Sequence, residues 1–300
     1  MKNKTVLITG GAGFVGSHLC KRLLDDGHQV ISLDNYFAGS KDNHHEGVEY
    51  REGHTKDIAE HIPEEVDVIY HLGEYARVAA SLNEPEVVFD LNIKGTFAVL
   101  EFWRARGCKL VYSGSSTKHV GTREDGTDGR DLAPYTWMKA ANTELIVNYG
   151  RWYDLSFAIV YFYNVYGPGE RPIEEYGTVV ETFKRRMLAD KALQVREPGT
   201  QRRAFVHVED TVDGIVLAGD SGLGDGYGLG IDDMYSLIDL AEMFLSVWGR
   251  SAQADGDKIE MLPQTKTTRE TSVVDDVKIK ALGWEPKHTL RDYIESCKKQ

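Results

Sequence analysis

Thr9-Gly10-Gly11-Ala12-Gly13-Phe14-Val15-Gly16 is the stretch that decides the fold. It follows the apolar run Thr5-Val6-Leu7-Ile8 and opens an apolar-periodic segment, residues 15–24, that runs out at Asp25-Asp26-Gly27. The pattern reads strand, tight turn, helix. Gly10 lets the chain turn, Gly13 lets backbone approach a pyrophosphate, and Gly16 lets the helix pack close to the strand. The helix start, with Phe14 and Val15, offers unpaired N–H groups and a positive dipole end to phosphate oxygens. A glycine pattern alone is weak evidence, but here the strand before it and the helix after it are both present.

Working outward, residues 30–33 form a second apolar run that ends at Asp34-Asn35. A carboxylate at that place suits the ribose hydroxyls of an adenosine and repels a 2′-phosphate, so NAD is expected in preference to NADP. Asp57-Ile58, at the next junction, is expected to flank the adenine. Further strands are expected at 66–71, 109–112 and 157–162, with helices at 87–106 and 135–149 between them. Continuous apolar strands alternating with helices mean a parallel sheet covered on both faces. The second half is less regular. It holds helices at 178–188, 211–218, 236–248 and 290–297, a strand at 204–208, and a glycine-rich stretch at 222–230 that reads as a turn or loop. The expected fold is therefore α/β, a Rossmann-type doubly wound parallel sheet with a smaller α/β substrate-binding lobe. Residues 1–164 and 201–231 are assigned to the sheet domain, and residues 165–200 and 232–300 to the lobe.

Bulk properties narrow the function. The 300 residues carry a formal net charge of −12, which argues against general nucleic-acid binding and against docking on anionic membranes. Cys20, Cys108 and Cys297 form no Cys-x-x-Cys pair, and His44, His45 and His54 sit without ligand spacing, so no metal site is expected. No run of 18 apolar residues exists and no signal segment is read, so a cytoplasmic protein is expected.

Tyr135-Thr136-Trp137-Met138-Lys139 places a phenol and an ammonium one helical turn apart. The ammonium favours the phenolate; bringing a tyrosine from ~10 towards ~7 takes roughly 4 kcal/mol of differential interaction. Such a tyrosine works as a general base near neutral pH. Upstream, residues 109–117 form a strand that ends in the hydroxyls of Ser113, Ser115, Ser116 and Thr117.

With the glycine loop and Asp34, these pieces resemble the extended short-chain dehydrogenase/reductases, and within them the NAD-dependent nucleotide-sugar epimerases and dehydratases. His71-Leu72-Gly73, Asn92-Ile93-Lys94-Gly95-Thr96, Asn164-Val165-Tyr166-Gly167-Pro168-Gly169 and Leu282-Gly283-Trp284 extend the likeness along the chain. The resemblance implies that Ser116, Tyr135 and Lys139 are catalytic, with Tyr135 the base. Lys139 also binds the nicotinamide ribose, and His71, Leu72, Gly73 and Asn92 line the cofactor side. It implies that Asn164, Arg203 and Arg269 contact the sugar or diphosphate; Tyr75, Arg77 and Thr117 are candidates for the sugar pocket. Guanidinium groups are the local positive charges an acidic protein needs for a diphosphate.

Two departures stand out. Related dehydratases carry an Asp-Glu pair where this chain has Thr117-Lys118, and the family has small residues where this chain has Glu74-Tyr75-Ala76-Arg77. A buried Glu74 would be costly unless hydrogen-bonded. The expected activity is C4 epimerisation of a UDP-hexose through a 4-keto sugar, with NAD as a retained cofactor. A dehydratase or decarboxylase of the same family is the alternative, and a non-catalytic NAD-binding sensor the alternative of another class. The likeness also implies a homodimer built on the helices at 87–106 and 135–149.

Overall fold

The computed structural model describes residues 3–116, 132–170, 177–251, 258–267 and 273–299. Thr117, Lys118, Arg171 and Arg269 lie outside the described residues.

The apolar runs become a seven-stranded parallel sheet. Its strands are β1 (Thr5–Thr9), β2 (Gln29–Asp34), β3 (Glu49–Glu52), β4 (Val68–His71), β5 (Lys109–Ser115), β6 (Phe157–Phe162) and, from further along, β10 (Gly224–Leu229). The order is β10-β6-β5-β4-β1-β2-β3. β1 pairs with both β2 and β4, so the order reverses there, and the crevice beyond the carboxyl ends of β1 and β4 is the topological switch point where such sheets bind ligands. The doubly wound sheet expected from the sequence is present.

Helices cover both faces. On one, α1 (Phe14–Asp25) and α7 (Val208–Ser221) bury Leu19, Cys20, Leu23, Val212 and Ile215 against Val6, Ile8 and Val160. On the other, α4 (Gly95–Arg106) and α5 (Pro134–Tyr153) bury Val99, Leu100, Trp103 and Ile146 against Leu7, Ile69 and Ile159. Short helices α2 (Ile58–His61) and α3 (Pro85–Val88) precede α4. The chain does not run as one regular helix from 87 to 106; Phe89–Lys94 is π-helical. Such a stretch holds an extra residue per turn, and here it coincides with Asn92 turned inward.

A second core lies under the remaining elements. β7 (Asn164–Tyr166), β9 (Arg202–His207) and β11 (Met234–Ser236) form a three-stranded sheet, and β8 (Leu193–Arg196) pairs with β12 (Ile259–Leu262). Around them α6 (Val179–Leu188), α8 (Leu237–Val247) and α10 (Leu290–Cys297) bury Phe183, Met187, Phe205, Leu240, Phe244 and Ile294. Ser236 caps α8 in a capping box with Asp239. Ile279, in α9 (Val277–Ala281), and Trp284 fall in the segment expected for the lobe, yet they pack in the core of the large sheet.

The reading of the glycine-rich stretch is also corrected. The glycine-rich stretch 222–230 is not a turn: it carries edge strand β10, parallel to β6. Its glycines answer to crowding, since a Cβ on Gly228 would lie 1.8 Å from the Asp275 carbonyl oxygen. Tyr227 and Leu229 supply the buried contacts that fix it as a strand. β3, with sequence Glu-Tyr-Arg-Glu, was not expected at all; as a charged edge strand it lacks the apolar run that marks the inner ones.

Candidate active site

The crevice opens into a cavity of about 490 Å³. Its floor is main chain. Gly10 has φ +77°, and a Cβ there would lie 2.9 Å from the Gly73 Cα and N; a Cβ on Gly16 would lie 2.0 Å from the Gly10 carbonyl oxygen. Glycine is therefore required at 10 by conformation and at 16 by space. Helix α1 starts above this floor with Gly13 as N-cap, no side-chain cap and no acidic residue in its first turn. Gly13, Phe14, Val15 and Gly16 line the cavity. An uncapped helix start facing a cavity suits phosphate oxygens.

Asp34 ends β2 at the rim. Its Oδ2 accepts from Ala12 N at 2.9 Å and its Oδ1 from Tyr36 N at 2.8 Å. Burial pushes its carboxyl up, against the pull of those two N–H groups. Asn35 lines the cavity beside it and accepts from Phe37 N at 3.1 Å. Phe37, which the sequence reading passed over, also lines the cavity and stands 5.8 Å from the Tyr75 ring. Glycine cradle, uncapped helix and rim carboxylate together fit a dinucleotide. Asp57 and Ile58 do not line the cavity; Ile58 belongs to the core, and Gly53 and Thr55 stand on the wall in their place.

The far end gathers Ser115, Ser116, Tyr135 and Lys139. Proline 134 starts α5, so Tyr135 enters at the first turn and Lys139 follows one turn on. Tyr135 N donates to Ser81 Oγ at 3.3 Å, and its ring packs with Tyr75, Val88, Leu91 and Met138. Lys139 Nζ donates to the Ser113 carbonyl at 2.5 Å, lies 4.7 Å above the Tyr112 ring, and pairs with Glu74.

Glu74 is the residue whose role the sequence did not disclose. Its side chain is 1% exposed, and that of Lys139 5%. Besides Lys139, Glu74 accepts from Thr96 Oγ1 at 2.8 Å, Asn142 Nδ2 at 2.7 Å and the Tyr112 hydroxyl at 3.2 Å. Burial alone would push its carboxyl up; the Lys139 ammonium outweighs this and holds it below the usual range. His71 does not reach the cavity. Its Nδ1 meets Thr9 Oγ1 at 2.7 Å and its Nε2 meets Thr96 Oγ1 at 2.9 Å. Thr9 Oγ1 takes the Gly73 N–H and Thr96 Oγ1 donates to Glu74. His71 therefore accepts at Nδ1 and carries its proton on Nε2, and burial pushes it down to about 4. The carboxylate is thus fully hydrogen-bonded, as a buried charge must be.

The other expected residues divide. Leu72, Gly73, Tyr75, Arg77 and Asn164 line the cavity. Asn164 Nδ2 donates to the Ala204 carbonyl at 2.8 Å. Asn92 is fully buried beneath: its amide accepts from Tyr75 N at 2.7 Å and donates to Tyr75 O at 3.1 Å, so it holds the loop and does not face the cavity. Arg203, on β9, donates to the Arg202 carbonyl and is not among the lining residues.

Glu170 lines the cavity and was also missed. Its carboxylate accepts from Thr178 N and, at 2.8 Å, from Thr178 Oγ1, and burial pushes it up to about 7. A carboxyl raised on folding is penalised as pH rises, so its cost to stability appears above the ordinary carboxyl range near 4.5 and is complete above about 7. Glu170→Gln keeps an acceptor for the Thr178 N–H and removes that cost. The variant should melt a few degrees above the parent at pH 8, with at most about 3 kcal/mol involved, and should match it at pH 4.5. Paired thermal melts at the two pH values check this; equal melting at pH 8 refutes it.

Outside the cavity, His207, Glu209 and His288 offer ligand atoms within 4.8 Å of one another. Several of their polar atoms are engaged with one another or with Asp210: His207 Nδ1 accepts from Glu209 N, and His288 meets Glu209 and Asp210. The cluster ties the segment before α10 to the start of α7.

The chain belongs to the NAD dependent epimerase/dehydratase family, whose model matches residues 6–229. It is 31% identical over 307 residues to a UDP-glucose 4-epimerase of Mycolicibacterium smegmatis, covering 96% of this chain and 95% of that protein. It is 30% identical over 316 residues to UDP-glucuronic acid decarboxylase 5 of Arabidopsis thaliana, covering 97% and 87%. A crystal structure of UDP-glucose 4-epimerase with UDP-glucose from Thermotoga maritima superposes with a TM-score of 0.88 at 27% identity, covering 97% and 96%. The resemblance to the extended short-chain dehydrogenase/reductases holds, and NAD is the cofactor. Family members are enzymes of nucleotide-sugar interconversion.

Proposed function

We propose that this protein is a UDP-hexose 4-epimerase acting on UDP-glucose or UDP-N-acetylglucosamine. The observation that carries the reading is the convergence of Ser116, Tyr135 and Lys139 on the cavity that the glycine loop and Asp34 also line. Held by Gly10, Gly13, Gly16 and Asp34, NAD would supply the reversible hydride acceptance at C4 that no side chain can provide. Tyr135, as phenolate, accepts the proton of the sugar 4-hydroxyl, and Ser116 hydrogen-bonds the same oxygen. Lys139 places positive charge beside Tyr135. The resulting 4-keto sugar turns over in the cavity and is reduced on its other face, while Tyr135 returns the proton. Asn164 contacts the diphosphate or sugar, Tyr75 and Arg77 shape the sugar subsite, and Asn92 acts by fixing Tyr75. By the resemblance Arg269 joins the diphosphate contacts and Thr117 the sugar subsite, whereas Arg203 would have to turn from the Arg202 carbonyl to reach a diphosphate. Residues 165–200 and 232–300 supply the nucleotide-sugar lobe.

The test is incubation of purified protein with UDP-glucose, UDP-N-acetylglucosamine and UDP-glucuronic acid. The C4 epimer should form without added NADH. Failure to convert any hexose with cofactor present overturns the reading. A second reading, decarboxylation of a UDP-uronic acid, is supported by the plant relative and by Arg77, a cation in the cavity wall suited to a sugar carboxylate. Release of carbon dioxide identifies it; a released 4-keto hexose identifies a dehydratase.

We also propose a cytoplasmic homodimer joined through α4 and α5. Phe97 on α4 and Trp137, Trp152 and Tyr153 on α5 are exposed, and large apolar groups on adjacent helices mark an association surface. Phe97→Glu with Trp152→Glu should turn a sedimenting dimer into a folded monomer. A parent chain that sediments as a monomer at micromolar concentration refutes the dimer.

A further inference from the structure

We infer that Glu74 is a positioning residue for Lys139 and, through it, sets how readily Tyr135 gives up its proton. The inference rests on the reading above, in which Tyr135 exchanges a proton with the sugar. An unopposed ammonium one turn from the phenol would favour phenolate strongly. Glu74, in contact with that ammonium and itself sealed from water, turns a net charge into a compact dipole whose field at Tyr135 is weaker. The Ser113 carbonyl and the Tyr112 ring fix Nζ from the other sides. A group that must both take and return a proton works best when neither state is overwhelmingly favoured at the working pH.

Each element packed against Glu74 brings its own group to the carboxylate. From β4, His71 is held neutral, down at about 4. From β5, Tyr112 is pushed well up by burial and by Glu74. From α4 and α5 come the uncharged Thr96 and Asn142, besides Lys139. On the Tyr135 side, Tyr75 is buried, and its hydroxyl donates to Glu84 at 3.0 Å.

The experiment compares Glu74→Gln and Glu74→Asp with the parent holoenzyme. Tyrosinate absorbance is titrated without sugar, with Tyr135→Phe as the blank, and kcat/KM is followed against pH. Removing the charge should move Tyr135 ionisation, and the acid limb of kcat/KM, to lower pH by about one unit, tenfold in the ionisation constant. Glu74→Asp should leave both in place. If the Gln variant fails to fold, Glu74→Ser makes the same charge change and carries the same expectation. A lower rate with unmoved titration in the neutral variants reduces Glu74 to a structural role and overturns the inference, as does a shift to higher pH. The absorbance titration needs no turnover. An inactive parent therefore sinks the epimerase reading, whereas an unmoved tyrosinate signal sinks this one.

Discussion

Tyr135→Phe should lower kcat by 10²- to 10⁴-fold, the usual contribution of a positioned proton-transfer group, while leaving fold and NAD binding intact. The ring packs with Tyr75, Val88, Leu91 and Met138, and phenylalanine keeps those contacts. kcat and kcat/KM should fall together, because the hydroxyl acts on the transition state and not on ground-state binding. Steady-state rates on the substrate found in the UDP-sugar panel, with cofactor content read from absorbance, make the measurement. A variant within tenfold of the parent would exclude Tyr135 as the base. A sensor that merely binds NAD would also be indifferent to the change.

Lys139→Met should strike both stability and activity, and a second substitution should separate the two. Removing the ammonium strands Glu74 as a buried carboxylate, and breaking a buried ion pair from one side costs about 3–5 kcal/mol. For a chain of this size that is a fall of about 10 °C in melting temperature. Stranded, the Glu74 carboxyl is raised on folding, so the loss should be present at neutral pH and fade as pH falls towards the ordinary carboxyl value near 4.5. Lys139→Met with Glu74→Gln leaves no buried charge and should recover most of the melting temperature. Activity should stay down by about 10²–10³-fold in both, since the positive charge beside Tyr135 is gone in both. A double variant as unstable as the single one would show that Glu74 and Lys139 are not energetically coupled.

The parts of the site that were legible in sequence are those whose chemistry is local. Gly10, Gly13 and Gly16 sit between a strand and a helix that each announce themselves, and Tyr135 and Lys139 need only one helical turn to meet. Glu74 was visible as an oddity but not as a partner. Its ammonium lies 65 residues away in sequence; Asn142 comes from the same helix as that ammonium, and Thr96 and Tyr112 come from two other elements. Gly53 and Thr55 escaped for a related reason. They follow β3, an edge strand without an apolar run, so the junction was placed a few residues late, at Asp57-Ile58. Glu170 is raised by burial, against the pull of the Thr178 N–H and hydroxyl, and that burial is a tertiary fact with no local mark in the sequence. The strand at Gly224–Leu229 was concealed by glycines whose cause is Asp275, far along the chain.

The contact of Gly10 with Gly73 has a bearing on how this enzyme can be altered. Where β1 and β4 end, bare main chain meets bare main chain, and no side chain at either position can be exchanged to widen or narrow the gap. The bed for the dinucleotide is therefore common property of the fold, closed to tuning. One peptide bond later the chain becomes individual, with Glu74, Tyr75 and Arg77. A designer wishing to change pH optimum or sugar preference can begin at residue 74 without remaking the cofactor seat.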